Sequence, residues 1–249
     1  MYFKTEGLVL RETEYKDADK LLTVLSKYRG KLTLRARGVR SRSSKLKSGC
    51  QLLAFSEFTV YEGKSGQLVH EAVPLELFLP LRQDIELLSL ASYFAQVAEV
   101  LSQEDSPSPE LLSLCLNAMY ALGKLNRSQR LVKAVFEFRA ACLAGYEPML
   151  DGCAVCGNPE PERFLVSGGM LQCSTCQFPE ENGMRLPVHT GCLAAMRYLA
   201  SCNGKHLFSF RLGSDAEKEL ADVAETYLLT QLERGFFTLD FYKSMKITS

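Results

Sequence analysis

The 249-residue sequence predicts an α+β multidomain protein, in which an N-terminal five-stranded, OB-like β-barrel is followed by an all-helical domain carrying a four-cysteine module. Three observations lead there. Residues 1–79 read as short strands between turn signals, with little helical periodicity. From Leu81 onward, apolar residues recur at three- and four-residue steps. Two C-x-x-C pairs then interrupt the helical pattern between about residues 150 and 180. The expected domains are therefore 1–79, a basic barrel, and 80–249, a helical domain with the cysteine module set into it.

Residues 5–11 form the first expected strand, 12–19 a polar connection and 20–26 the second strand. A turn at 28–30 leads into residues 31–37, which alternate strictly. Successive side chains of a strand point to opposite faces, so Leu32, Leu34 and Ala36 would face a core while Lys31, Thr33, Arg35 and Arg37 face away from it. Residues 38–49 read as a flexible loop of Ser, Gly and basic residues, carrying Arg40, Arg42, Lys45 and Lys47. Strands at 51–61 and 67–73, joined by a Gly-bearing hairpin loop at 62–66, complete the set. Five strands suit an OB-fold or an SH3-like barrel, and patterning alone leaves both open.

Pro74 and Pro80 bracket the exit from the barrel. The first helix carries Leu87, Leu88, Ala91, Phe94, Ala95, Ala98 and Leu101. A second, over 110–122, has Ser108 as expected N-cap and Pro109 at its first position. It is apolar nearly all round, which marks it as central in a helical core. A third, over 128–144, is stopped by Gly145 and Pro148. A fourth covers about 190–200. The last opens at a capping box, Ser214 to Glu217, and carries the stripe Leu220, Val223, Ala224, Tyr227, Leu228 and Leu232. Residues 242–246 read as a short basic tail.

Lys and Arg equal Asp and Glu over the chain, 29 each, but they are unevenly spread. Residues 1–80 hold 14 basic and 9 acidic residues. The stretch from Lys20 to Ser56 holds no acid at all beside ten cations. A basic strand next to a basic loop suits a polyanion, and the expected nucleic-acid contacts are Lys31, Arg35, Arg37, Arg40, Arg42, Lys45 and Lys47. Tyr15, Tyr28 and Phe3 are candidates for stacking on bases, with Phe3 better suited to core packing. No apolar run approaches the ~20 residues of a membrane span. The N-terminus lacks the basic and apolar regions of a secretion signal, so a cytoplasmic protein is expected.

Of nine cysteines, four fall into the pairs Cys153/Cys156 and Cys173/Cys176. Two such knuckles supply four thiolates for one tetrahedral zinc ion, and a site with four protein ligands leaves no position open for catalysis, so a structural Zn²⁺ is expected. Gly157 allows the tight turn after the first pair, and residues 162–172 read as a hairpin with Gly168 and Gly169 at its tip. His189 and Cys192 lie near in sequence but are read as packing residues. No catalytic constellation emerges: His70, His189 and His206 stand alone, His70 as a hydrogen-bonded surface residue. There is no G-x-x-x-x-G-K-S/T or G-x-S-x-G motif. Asp17/Asp19 and Glu12/Glu14 would suit a metal-dependent nuclease, but the plainer reading is a solvated loop. A non-enzymatic protein is expected.

The order and spacing of several motifs resemble the RecO family of bacterial recombination mediators. They are Thr5-Glu-Gly-Leu-Val-Leu10, Tyr15-Lys-Asp-Ala-Asp-Lys-Leu-Leu-Thr-Val24, Gly30-Lys31 and Gly38-Val-Arg40. Further along stand Phe136-Glu-Phe-Arg139, Leu143-Ala-Gly-Tyr146-Glu-Pro148 and Cys153-x-x-Cys156-Gly157. The resemblance spans essentially the whole chain and, through the four cysteines, points to the zinc-bearing members. It implies DNA repair and homologous recombination: binding of single- and double-stranded DNA, annealing of complementary strands, and, with RecR, loading of RecA onto strands coated by single-strand DNA-binding protein, whose acidic tail is bound. It also implies association with the nucleoid. The alternative from the residues alone is a zinc-stabilised OB-fold RNA-binding protein.

Overall fold

The structure, a computed structural model, describes residues 1–64, 66–176, 183–202 and 204–247. It divides into two compact units, one of residues 1–124 with the C-terminal residues from Phe236, the other of residues 125–235. The change from strand to helix near residue 79 thus lies inside the first unit.

The barrel strands are β1 (Tyr2–Tyr15), β2 (Asp19–Ser26), β3 (Gly30–Ala36), β4 (Phe55–Gly63) and β5 (Gly66–Glu76). They close in the order β1-β2-β3-β5-β4, with β1 also paired to β4. β3 and β5 run parallel and the other pairs antiparallel. This connectivity is OB-like and resolves the choice that patterning left open. Val9, Leu22, Val24, Leu32, Leu34, Phe58 and Val60 fill the interior. The polar connection expected over 12–19 is instead two paired strand ends around a tight turn at 16–18. Lys20 pairs across the strands with Glu12 Oε1 at 2.8 Å, so polarity did not mean loop.

Residues 38–53 are not a loose tether. They wind through successive turns closed by Ser44 N–H to Ser41 O at 3.2 Å and Cys50 N–H to Leu46 O at 3.0 Å. Val39 and Cys50 are buried in the barrel core and Leu46 packs against it. Gly49 lies so close to β5 that a Cβ there would sit 2.6 Å from the Ala72 carbonyl oxygen. Three apolar residues among the Ser and Lys supply anchors that composition hides.

The same unit holds α1 (Leu79–Arg82), α2 (Ile85–Leu101), α3 (Pro109–Gly123) and α7 (Phe237–Ile247). Asp84 caps α2, accepting from the N–H groups of Glu86 and Leu87 at 2.8 and 3.1 Å. Ser108 occupies the expected N-cap of α3, but its hydroxyl makes no capping bond and Pro109 sets the start. The expected basic tail belongs to α7, which buries Leu239 and Tyr242 and forms a Lys246–Glu86 ion pair at 2.6 Å. Just before it, Phe236 meets Tyr93 edge-on, with ring centroids 5.6 Å apart.

The second unit contains α4 (Gln129–Leu143), β6 (Met149–Cys153), β7 (Arg163–Leu165), β8 (Met170–Gln172), β9 (Arg185–Pro187), α5 (Thr190–Ser201) and α6 (Ser214–Gln231). β7 and β8 form the expected hairpin, and β6 and β9 extend it to a four-stranded sheet in the order β6-β8-β7-β9. The capping box does not form. Gly213 is the N-cap of α6, and the Glu217 carboxylate accepts instead from the Ser128 hydroxyl at 2.6 Å. No helix among the described residues is long and apolar enough to cross a membrane.

α4 and α6 are joined by a buried ion network. Lys133 Nζ lies 2.8 Å from Glu137 and 2.6 Å from Glu225, and the Glu137 side chain has no exposure. Burial alone would lower the lysine's pKa, but the two carboxylates outweigh it and raise it. Lys133→Met alone strands a buried carboxylate and should cost about 3–5 kcal/mol, whereas Lys133→Met with Glu137→Leu should cost far less. Denaturant unfolding of the two variants checks this; equal losses would contradict it.

Candidate nucleic-acid interface and metal centre

β3 alternates as its sequence dictates: Leu32, Leu34 and Ala36 are buried, while Thr33 and Arg37 are exposed and Lys31 and Arg35 half-buried. The seven cations expected to meet nucleic acid fall into two groups. Lys31 donates to the Glu99 carbonyl oxygen at 3.1 Å, and Arg11 pairs with the Glu99 carboxylate at 2.9 Å. Both cations thus sit at the C-terminal turn of α2, where the helix dipole favours positive charge. Arg35 makes two contacts with Asp19 Oδ2, at 2.6 and 2.8 Å, and lies over the Tyr15 ring at 5.0 Å. Arg40 reaches Glu14 at 3.3 Å and the Asp17 carbonyl at 3.2 Å. Arg37, Arg42, Lys45 and Lys47, in contrast, are exposed and have no hydrogen bond or ion pair from their side chains among the described residues.

Asp19 is the residue that sequence reasoning misjudged. It is not part of a solvated loop: it is buried, and its second oxygen accepts from the Gly38 N–H at 2.8 Å. The neighbouring Arg40 N–H donates to the Ala18 carbonyl at 3.0 Å. The turn between β1 and β2 is thereby tied to the start of the basic loop. The Gly38 N–H, then Arg35, hold the Asp19 carboxyl below its ordinary value. Both carboxylate oxygens are thus engaged, one by Arg35 and the other by the Gly38 N–H. The only signal in the sequence was an acid immediately beside an acid-free basic run.

The aromatic candidates also separate. Phe3 packs against the barrel core with the Arg29 guanidinium 3.9 Å from its ring centroid. Tyr15 lies beside Arg35, with Lys16 5.5 Å from its ring centroid, and Tyr28 is exposed beside Lys27. Two aromatics not singled out from the sequence, Tyr2 and Tyr61, oppose each other across β1 and β4 with ring centroids 5.1 Å apart. His70 meets Tyr2 edge-on at 5.4 Å and makes no hydrogen bond among the described residues.

The knuckles converge. The sulfurs of Cys153, Cys156, Cys173 and Cys176 all lie within 4.8 Å of one another, the only such metal-binding group among the described residues. Gly157, at φ 73°, turns the chain so that its N–H donates to the Cys153 carbonyl at 2.8 Å. The Cys173 N–H approaches Cys153 Sγ at 3.4 Å, and Asn158 Nδ2 approaches Cys173 Sγ at 3.2 Å. Burial raises the Cys153 thiol, but the N–H groups of Cys156, Cys173 and Val155 outweigh it and bring it down to about 6. The contact with Cys156, then burial, pushes Cys176 up to about 12. Four thiols this crowded ionise together only around a cation. Cys192 is buried elsewhere, and His189 Nδ1 faces Glu219 at 2.5 Å.

Two family models cover the chain: the N-terminal part of recombination protein O over residues 1–78, and its C-terminal part over residues 82–240. The chain belongs to the RecO family. A DNA repair protein RecO of Acetivibrio thermocellus is 33% identical over 98% of this chain and 97% of its own length. Those of Moorella thermoacetica and Heliobacterium modesticaldum are 32% and 34% identical over 93% and 85% of this chain, and 87% and 78% of their own. RecO membership assigns the chain a role in DNA repair and recombination.

Because its native carboxyl is held low, Asp19 contributes stability above the unfolded value near 3.8, and that contribution is lost as pH falls through the lower native value. Asp19→Asn should therefore be less stable than wild type near neutrality, with the difference vanishing in acid. Unfolding midpoints measured from pH 7 to pH 2 check this; a difference independent of pH would contradict it.

Proposed function

We propose that this protein is a non-enzymatic mediator of homologous recombination. It binds single- and double-stranded DNA, anneals complementary strands and, with RecR, helps load RecA onto DNA coated by single-strand DNA-binding protein in the cytoplasm. The observation that carries this reading is the set of four exposed cations without a hydrogen bond or ion pair from their side chains among the described residues, Arg37, Arg42, Lys45 and Lys47, at the end of β3 and on the anchored loop that follows. Cations already spent on protein carboxylates gain little from phosphate, whereas these four release counterions from a polyanion at little internal cost. Lys31, Arg35 and Arg40 shape the surface and lend it their remaining field. Annealing follows when two backbones are neutralised on one surface and their mutual repulsion falls. In the second unit, an open groove of about 460 Å³ sets Arg127 and Arg211 beside Leu125, Leu131 and Leu212, with the Glu217 carboxylate held by the Ser128 hydroxyl, and the two arginines make it a candidate for the acidic tail of single-strand DNA-binding protein.

The four cysteines are proposed to hold one structural zinc ion. A tetrahedral ion with Zn–S near 2.3 Å sets its sulfurs about 3.8 Å apart, and Cys156 Sγ and Cys173 Sγ lie 3.7 Å apart. The ion would supply neutralisation and cross-linking of β6 and the β7–β8 hairpin. Metal analysis should find one zinc per chain, and a chelator or Cys153→Ser should lower the melting temperature. A chain free of zinc, or indifferent to chelation, would refute this.

Strand annealing is the test of the DNA reading. Wild type should anneal complementary oligonucleotides and bind single strands with a slope of log K against log salt of about −0.7 × 4, near −2.8. Arg37→Ala/Arg42→Ala/Lys45→Ala/Lys47→Ala should anneal poorly and show a flatter slope. Unchanged annealing by this variant would move the contact off the loop. Wild type that fails to anneal but prefers structured RNA would favour the RNA-binding alternative.

A further inference from the structure

The outer face of the barrel carries a second feature, and it arises from register. Around the barrel, Arg35 of β3 lies opposite Leu68 of β5, Leu68 opposite Tyr61 of β4, and Tyr61 opposite Tyr2 of β1. These four share the outward face, because Leu34, Val69 and Val60 beside them point into the core. Neighbouring strands are about 4.8 Å apart, so Tyr2 stands about 14 Å from Arg35 across the face. Two residues further along their strands lie Arg37 and His70. The result is a row that begins with cations and ends in rings. Tyr2 and Tyr61 are 57% and 40% exposed. Their rings are tilted by 55°, and His70 meets Tyr2 at 74°, so the three form an exposed edge-to-face cluster instead of a parallel stack. Of the acids beside it, Glu57 pairs with Lys4 at 3.2 Å and Glu62 lies 3.7 Å from Arg29, while Glu71 on β5 is exposed. Lys64, in the β4–β5 turn, is exposed and unpartnered among the described residues.

We propose that Tyr2, Tyr61 and His70 form a base-stacking platform for single-stranded DNA, taking unpaired bases of the strand whose phosphates lie on Arg37 and the basic loop. This rests on the reading of the barrel as a DNA surface. Cations alone hold any polyanion, duplex or single. Exposed rings hold only bases that are free to leave a stack, and they do so without regard to sequence. The platform therefore supplies what the loop lacks, a preference for unpaired strands. Bases held splayed on the rings also expose their pairing edges to a complementary strand.

The test compares the full-length wild type, Tyr2→Ala/Tyr61→Ala and Tyr2→Phe/Tyr61→Phe on three ligands of equal length: a single strand, a duplex, and a strand of abasic sites with the same phosphates. The alanine variant should lose about tenfold or more in affinity for the single strand and nothing for the duplex or abasic strand. The phenylalanine variant should bind like wild type. Salt slopes should be alike in all three proteins. The chain contains no tryptophan, so Tyr61→Trp gives one reporter, whose emission should be quenched by the single strand and not by the abasic one. Equal losses on all three ligands would make the tyrosines structural, and unchanged binding or unquenched emission would remove the platform while leaving the loop reading intact. Wild type that binds none of the ligands would remove both.

Discussion

The contact on which the basic surface depends is the Asp19 carboxylate, which takes Arg35 on one oxygen and the Gly38 N–H on the other. An uninterrupted row of cations on one strand would repel itself and work against closure of the barrel. Asp19 neutralises Arg35 in the middle of that row and, through the Gly38 N–H, fixes the point where the chain leaves β3. The turns that follow are then locked by Val39, Leu46 and Cys50 inside or against the core. The loop is thus preorganised by a buried acid at one end and apolar plugs along its length. Its outward cations are held apart by covalent geometry and not by mutual attraction to protein acids. A ligand that docks there does not first have to order the loop.

The second unit meets a similar difficulty in reverse. Its small sheet is made of strands of three to five residues, too short to bury a core on their own. Four sulfurs within 4.8 Å join the end of β6 to the residues after β8. The Cys173 N–H that approaches Cys153 Sγ at 3.4 Å favours negative charge on that sulfur. A metal ion held there would stand in for the hydrophobic area that the strands lack.

Much of this was legible in the sequence, and the parts that were not share a cause. Strict alternation over residues 31–37 placed Leu32 and Leu34 inward, and the spacing of two C-x-x-C pairs brought four sulfurs together, because both depend on local geometry alone. Asp19, Ser214 and residues 38–49 depart from the sequence reading because their partners are remote in sequence: Arg35 and Gly38 for Asp19, Ser128 for the Glu217 expected to complete a capping box with Ser214, and the barrel core for Val39 and Leu46. β6 and β9 were missed because strands this short carry no measurable period. The opposition of Tyr2 and Tyr61 depends on the register of two strands more than fifty residues apart, which no single-strand pattern contains.

Ten cations without an acid looked like one patch, but the fold sorts them by where carboxylates and helix ends arrive from outside the run. Lys20, Lys27, Arg29, Arg35 and Arg40 meet Glu12, Glu6, Glu62, Asp19 and Glu14, and Lys31 meets the end of α2. What remains is Arg37, Arg42, Lys45 and Lys47, four charges within eleven residues of chain. The sorting leaves a local cationic surface on a chain with no net charge. Association depends on the field of unpaired charges near the contact and not on the sum over the molecule, because at physiological salt charges more than about 8 Å away are screened. Pairing six of the ten stabilises the barrel and its junctions, and leaving four unpaired concentrates the residual field on the one segment whose backbone is already fixed.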